Sequence, residues 1–346
     1  MDTQNVSFLL VTHLPNVRYL TGFTGSAGMV VVGRDWTNLW VDPRYTLQAQ
    51  DEVRDAHVFV EKNGILRGVA NWLRKSGIKK AAFEAPSLNC SQFAALRKET
   101  GTLLKLKPMN NLVEELRVEK DDGEIEAIRG AGKLTAEVFE ELLPLVRPGV
   151  SEKDLAAEVD YRMRRKGAEG VGFETIIASG PRSALPHARP SPKLLHENEL
   201  VIIDLGAILG GYAADMTRTV YTGKPTRRVL KLRAAVLHAQ AEAVGLVREG
   251  SSVGGLDRTA RRVLASQGLA RFFTHSTGHG VGLEIHERPR IAKGEKVRLK
   301  SRSVVTIEPG IYIEGFGGVR IEDTVLVTAE GAENLTPASK DRWVMV

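Results

Sequence analysis

The sequence predicts an α/β (α+β) protein of two domains, a smaller N-terminal one followed by a larger one. At 346 residues the chain exceeds the usual span of a single domain. Its first ~110 residues alternate short apolar runs with turns and helical patterns. Beyond a polar break the pattern changes to long amphipathic helices and then to strand-rich chain. Hydrophobic residues make up 42% of the whole and charged residues 26%, so a core of normal size needs no metal or disulfide staple.

Taken in order, Phe8 to Thr12, Gly28 to Val32 and Leu39 to Val41 read as strands, and Ile65 to Lys75 and Ser91 to Glu99 as helices. Pro108 to Asn111 is a break, which sets the domains at 1–111 and 112–346. The charged stretch Lys120-Asp121-Asp122-Gly123-Glu124 leads into a long helix whose Ile125, Ile128, Ala131, Val138 and Leu142 recur near helical spacing. Ser151 with Asp154 three residues on opens the next helix, Leu155, Val159 and Met163 form its apolar face, and Gly167 ends it. Two more helices are expected near Arg227 to Arg248 and Val253 to Gln267.

A net charge of +6 invites a nucleic-acid reading. The cations are scattered, however, and the densest run, Arg162 to Lys166, closes a helix where positive charge suits the dipole. No nucleic-acid partner is expected. The single cysteine, Cys90, lies in a polar stretch without a neighbouring base and reads as a spectator thiol. The start Met1-Asp2-Thr3-Gln4-Asn5 has no basic, apolar leader, and no apolar run approaches ~18 residues. A cytoplasmic protein without a membrane partner is the expectation.

The chemistry sits in the second domain. Val201-Ile202-Ile203-Asp204-Leu205 is an apolar strand with one acid; Ala213 to Thr219 reads as its partner and carries Asp215, with Leu209-Gly210-Gly211 as the turn. Folded about residues 209 and 210, this hairpin makes Asp204 and Asp215 direct cross-strand neighbours, roughly 5 Å apart at Cβ. Val304 to Glu308 and Gly318 to Glu322 repeat the device about Gly315. Carboxylates paired on buried strands repel and lose hydration, and a divalent cation answers both costs. The segment His275 to Glu287 holds three of the eight histidines, with glycines at 278, 280 and 282 that permit close approach and unusual dihedrals. Oxygen ligands with one or two imidazoles suit Mn²⁺, Co²⁺, Fe²⁺ or Zn²⁺. Two such ions about 3.5–4 Å apart acidify a bridging water and polarise a carbonyl, which is hydrolytic chemistry.

With Asp204, Asp215, the 275–286 segment, Glu308-Pro309-Gly310 and Gly318-Val319-Arg320-Ile321-Glu322 in view, residues ~112 to 346 resemble the pita-bread metallopeptidases, the family of methionine aminopeptidase, aminopeptidase P and prolidase. Arg18 to Ser26 and Val41-Asp42-Pro43-Arg44-Tyr45 resemble the creatinase-type N-terminal domain. The resemblance implies a pita-bread catalytic domain behind a creatinase-type domain, and a homodimer. It implies two divalent ions, Mn²⁺ first and Co²⁺ or Zn²⁺ next. Asp204 would chelate one ion and His279 the other, Asp215 and Glu322 would bridge both, and Glu308 would ligate one and act as general base. His286 would support the tetrahedral intermediate, His187 would hold substrate, and His275 would line the proline-side pocket. Arg320 would orient ligand or substrate, and Tyr212 would form pocket wall. Asp42 and Arg44 would recognise a substrate terminus, at this or a neighbouring subunit's site, or form an ion pair within their own domain.

The resemblance points to proline-containing peptides. An Xaa-Pro bond is a tertiary amide without N–H, so its site needs a shaped pocket more than a donor–acceptor register. The N-terminal motif favours an Xaa-Pro aminopeptidase; the alternative is an Xaa-Pro dipeptidase, or prolidase, restricted to dipeptides. A non-catalytic binding module is disfavoured because all five ligand positions are filled.

Overall fold

The computed structural model describes residues 7–102 and 104–345. The chain divides into two compact units, Met1–Arg117 and Val118–Val346.

In the first unit the elements are β1 (Leu9–Val11), α1 (Leu14–Thr21), β2 (Gly28–Val32), β3 (Thr37–Val41), α2 (Thr46–Glu52), β4 (His57–Val60), α3 (Ile65–Lys75), β5 (Lys80–Glu84), α4 (Cys90–Thr100) and β6 (Lys105–Met109). The strands form one mixed sheet in the order β4-β3-β2-β1-β5-β6. Both faces are covered, and the period of two shows it. Leu9, Val11, Val30, Leu39 and Val41 pack with Val17 of α1. Leu10, Val31 and Trp40 pack with Val69, Ala70 and Leu73 of α3 and Leu96 of α4. Pro108 lies inside β6 rather than in a break, which the ladder tolerates because β6 is the sheet edge.

The second unit opens with α5 (Asp122–Leu142), capped by a reciprocal box between Asp121 and Glu124, and α6 (Glu152–Arg165). Ser151 caps α6, and Leu155, Val159 and Met163 are fully buried. Gly167 at φ +95° closes it, with the Ala168 amide donating to the Met163 carbonyl. Then follow β7 (Gly170–Val171), β8 (Ile176–Ser179), β9 (Leu200–Leu205), β10 (Ala207–Leu209), β11 (Tyr212–Ala213), β12 (Met216–Thr222), α7 (Arg227–Val244) and α8 (Val253–Ser266). The chain ends with β13 (Gly278–Gly280), β14 (Glu287–Ile291), β15 (Val304–Ile307), β16 (Gly310–Ile313), β17 (Gly317–Arg320), β18 (Asp323–Val327), β19 (Ala332–Asn334) and β20 (Val344–Met345).

Each half sets a helix pair on a sheet. α5 and α6 pack on Val201, Ile203, Leu205, Met216 and Val220 of β9 and β12. α7 and α8 pack on Val305, Ile307, Ile311, Val319 and Val325 of the later strands. The alternate positions are polar yet buried: Asp204, Thr217, Thr219, Thr306, Arg320 and Glu322. Strand alternation thus turns one face of each sheet to the helices and leaves the other face to build a site. No helix among the described residues is long and apolar enough to cross a membrane.

Candidate metal centre

The first carboxylate hairpin folds one residue later than expected. Gly210 and Gly211 both have positive φ, +59° and +84°, and form a two-residue turn between the paired Leu209 and Tyr212. The partner of Asp204 is therefore Thr217, not Asp215. Asp215 lies two positions from Thr217, diagonal to Asp204, in the short gap between β11 and β12.

The second hairpin is in the expected register. Ile307 pairs with Asp323 on one side and Gly310 with Arg320 on the other, so Glu308 and Glu322 stand opposite each other in the gap between two ladders. Their amides are claimed by neighbours. The Glu308 N–H donates to the Thr277 carbonyl at 2.8 Å and the Glu322 N–H to the Thr217 carbonyl at 3.1 Å. Thr217 also donates its hydroxyl to Glu322 Oε2 at 2.6 Å, which ties the two hairpins together.

The histidine segment depends on its glycines for proximity. Gly278, Gly280 and Gly282 have no positive φ. A Cβ on Gly278 would lie 1.9 Å from the Thr306 carbonyl oxygen, and one on Gly280 would lie 2.1 Å from that of Arg288. Gly278→Ala is expected to destabilise the fold by about 2–3 kcal/mol, because backbone cannot yield as a side chain can; denaturant unfolding measures it, and an unchanged midpoint would contradict the close approach. His279 Nδ1 lies 3.0 Å from the Gly280 carbonyl, which can only accept. Nδ1 therefore carries the proton, and Nε2 presents its lone pair 3.5 Å from Asp215 Oδ2 and 3.6 Å from Glu308 Oε1.

Asp215, His279 and Glu322 each offer a ligand atom within 4.8 Å of the others, and all three are buried. Asp204 and Glu308 act on these groups through their charges. Burial, then Glu322 and Asp204, hold the Asp215 carboxyl well above its usual range. Burial, then Glu308 and Asp204, do the same to Glu322. Burial takes Glu308 up to about 8 and His279 down to about 4. Asp204 Oδ1 and Glu322 Oε1 are buried without a hydrogen-bond partner. Four carboxylates against one guanidinium, orphaned oxygens and a neutral imidazole with its lone pair turned inward fit divalent cations.

Arg320 is the guanidinium. It donates to Asp204 Oδ2 at 2.5 Å, Thr217 Oγ1 at 3.0 Å, the Pro186 carbonyl at 3.1 Å and the Tyr312 hydroxyl at 2.7 Å. Although burial opposes it, Tyr312, Asp204 and Glu308 hold Arg320 charged. His275 Nδ1 donates to the Ser276 carbonyl at 2.7 Å, so its Nε2 accepts from the Tyr312 hydroxyl at 2.8 Å. Burial takes His275 down to about 4. Tyr312, whose hydroxyl burial pushes up to about 12, was not read from the sequence; its parity with Glu308 along the strand is the signal that places it. Thr217 was likewise missed, hidden by the shifted turn.

His286 is exposed, with its ring centroid 4.3 Å from that of His279. Burial, then the charge of His187, lowers its pKa. His187 is exposed on a loop, and its charge acts on both His275 and His286. The Tyr212 hydroxyl donates to Glu124 Oε1 at 2.7 Å, at the start of α5. In the first unit Arg44 pairs bidentately with Asp42, at 2.7 and 3.0 Å, on the surface. Arg44 holds the Asp42 carboxyl below its usual range.

Residues 126–329 match metallopeptidase family M24, and residues 1–118 match the creatinase/prolidase N-terminal domain. An Xaa-Pro dipeptidase of Pyrococcus furiosus is 36% identical over 99% of this chain and 96% of that relative. The structure of an Xaa-Pro dipeptidase from Bacillus anthracis superposes with a TM-score of 0.96 at 36% identity, covering 99% of this chain and 96% of the other. That of an X-Pro aminopeptidase from Thermotoga maritima superposes with a TM-score of 0.91 at 36% identity, covering 98% and 97%.

Proposed function

Because the chain belongs to metallopeptidase family M24, and is a metal-dependent hydrolase of peptide bonds, we propose that it is an Xaa-Pro dipeptidase. The observation that carries this reading is the ligand cluster, flanked by His187, His275 and His286, in a chain that matches Xaa-Pro dipeptidases along nearly its whole length. The N-terminal motif had favoured an aminopeptidase; the full-length relatives favour the dipeptide. The aminopeptidase stands as the second reading, supported by the Thermotoga maritima structure.

Asp204, Asp215, His279, Glu308 and Glu322 would hold two divalent ions, with Asp215 and Glu322 shared, and Mn²⁺ is the first choice for so oxygen-rich a set, ahead of Co²⁺ or Zn²⁺. When bound, the ions supply Lewis acidity toward the scissile carbonyl and toward water. Glu308, with one oxygen 3.6 Å from His279 Nε2, takes the proton of the attacking water. His286, neutral and exposed, donates to the developing oxyanion. His275 and His187 shape the proline side. Arg320, held on four acceptors, fixes Asp204 and the Tyr312 hydroxyl. Asp42 and Arg44 are proposed as recognition of a substrate terminus, and the homodimer rests on the family resemblance.

Turnover of an Xaa-Pro dipeptide and of the matching Xaa-Pro-Xaa tripeptide, measured side by side, tests the label. Hydrolysis of the dipeptide at least about tenfold faster in kcat/KM, roughly 1.4 kcal/mol, is expected. Equal or faster cleavage of the tripeptide would return the aminopeptidase reading to first place.

A further inference from the structure

An acid lies in the buried middle of α8 that no ligand role uses. Asp257 is fully buried. Its Oδ1 accepts from the Thr277 hydroxyl at 2.8 Å and its Oδ2 from Arg261 Nε at 2.9 Å. The rest of the Arg261 fork reaches the same stretch: Nη1 donates to the Phe273 carbonyl at 3.0 Å and Nη2 to the His275 carbonyl at 2.6 Å. Its guanidinium also stacks 4.3 Å from the Phe273 ring centroid, and that ring meets His275 edge-on at 5.1 Å. Downstream, the Thr277 amide donates to the Ile291 carbonyl and its carbonyl receives the Glu308 amide. Residues 273–277 carry no regular ladder before β13, so the pair on α8 supplies what a ladder would. A fully buried carboxylate paired with a half-buried guanidinium costs more than apolar packing unless it specifies something. Here every bond it makes beyond itself ends on the segment that bears His275.

We propose that Asp257 and Arg261 are positioning residues that set the backbone of 273–277 and so aim the His275 ring, with Nδ1 on the Ser276 carbonyl and Nε2 toward the Tyr312 hydroxyl. Asp257 fixes the Arg261 fork, and the fork holds the two carbonyls that flank the turn into His275. The kinetic part rests on the peptidase reading above; the spectroscopic part does not.

The test uses the full chain loaded with Mn²⁺ for kinetics and the metal-free chain with ¹⁵N-labelled histidine for spectroscopy, with His275 assigned by loss of its signals in His275→Asn. Asp257→Asn is expected to keep the shape but blur the Nδ1–H tautomer signature of His275, and to lower kcat/KM about 10–100-fold at temperatures well below its unfolding midpoint. In a His275→Asn background the same change should cost less than about threefold more, since both act on one group. Arg261→Lys keeps the charge beside Asp257 but cannot grip two carbonyls, and is expected to fail as Asp257→Asn does. A His275 spectrum unchanged in both variants, or wild-type kinetics with Arg261→Lys, or full additivity with His275→Asn, overturns the proposal and leaves a pair that serves stability alone. If the wild type hydrolyses no Xaa-Pro substrate, the functional reading fails and the histidine spectra still decide the positioning role.

Discussion

Glu308→Gln is expected to lower kcat by about 10³-fold or more, with KM changed by less than about threefold. The substitution keeps the volume and one oxygen for a cation but removes the group that accepts the proton, and general-base contributions run to roughly 10²–10⁴-fold. Glu308 is singled out by placement. It stands at the gap between two ladders, its amide fixed on Thr277, one oxygen 3.6 Å from His279 Nε2 and the other 3.8 Å from His275 Nδ1. Steady-state kinetics with metal content measured on the same sample separates loss of the base from loss of an ion. A fall of less than about tenfold at full metal occupancy would remove Glu308 from that role.

Stripping divalent metal is expected to abolish turnover, to be reversed by Mn²⁺ or Co²⁺, and to change the sign of the pH dependence of stability. In the metal-free protein Glu308 binds its proton up to about pH 8, against 4.5 unfolded. Between those values the folded state holds more protons than the unfolded one, so stability falls as pH rises. His275 and His279 act oppositely: their folded values near 4 lie below 6.5, so the folded state holds fewer protons there and stability falls as pH drops below about 6.5. Asp215 and Glu322, also raised by burial, act in the same direction as Glu308, so above pH 6.5, where the histidines no longer titrate, metal-free enzyme should lose at least about 1.5 kcal/mol by pH 8. Bound cations stabilise the ionised carboxylates and should abolish that loss, while adding about 4 kcal/mol at a thousandfold excess over Kd. Thermal unfolding across pH, with and without chelator, measures both. Undiminished hydrolysis after chelation, or a metal-free midpoint that climbs from pH 6.5 to 8, would contradict the cation reading.

The proposed metal set could be read from the sequence because each acid interrupts an apolar run, and an acid on an otherwise buried strand has few reasons to be there. The second hairpin could be registered from sequence because its ladders share one axis through Gly315, at φ +70°. The first was displaced by one residue because such a two-residue turn needs positive φ at both central positions, which Gly210 and Gly211 supply and Leu209 does not. That slip concealed Thr217 as the partner of Asp204. In the first unit β4, β5, β6, α1 and α2 were not read. Lys80–Glu84 and Lys105–Met109 begin with lysine, and β6 also carries Pro108. Pro15 sits at the start of α1, where it is tolerated, not in its interior. Asp257 was invisible for another reason: its i,i+4 spacing to Arg261 reads as an ordinary helix-surface pair, and Thr277 is met by packing of a helix on a loop, which leaves no periodic trace.

The two-hairpin construction also bears on how the centre assembles. Asp204 and Asp215 are 11 residues apart and Glu308 and Glu322 are 14, so each carboxylate pair is brought together by closing a short loop. The contact that unites the pairs, Thr217 with Glu322, spans 105 residues. Closure entropy grows only by about 0.6 kcal/mol for each doubling of length, yet non-local contacts form late in folding. Two of the five proposed ligands thus belong to each of two locally formed hairpins, with His279 supplied by β13, and high affinity for cations is expected only once they dock. Cation uptake during refolding is in effect a clock for that docking step.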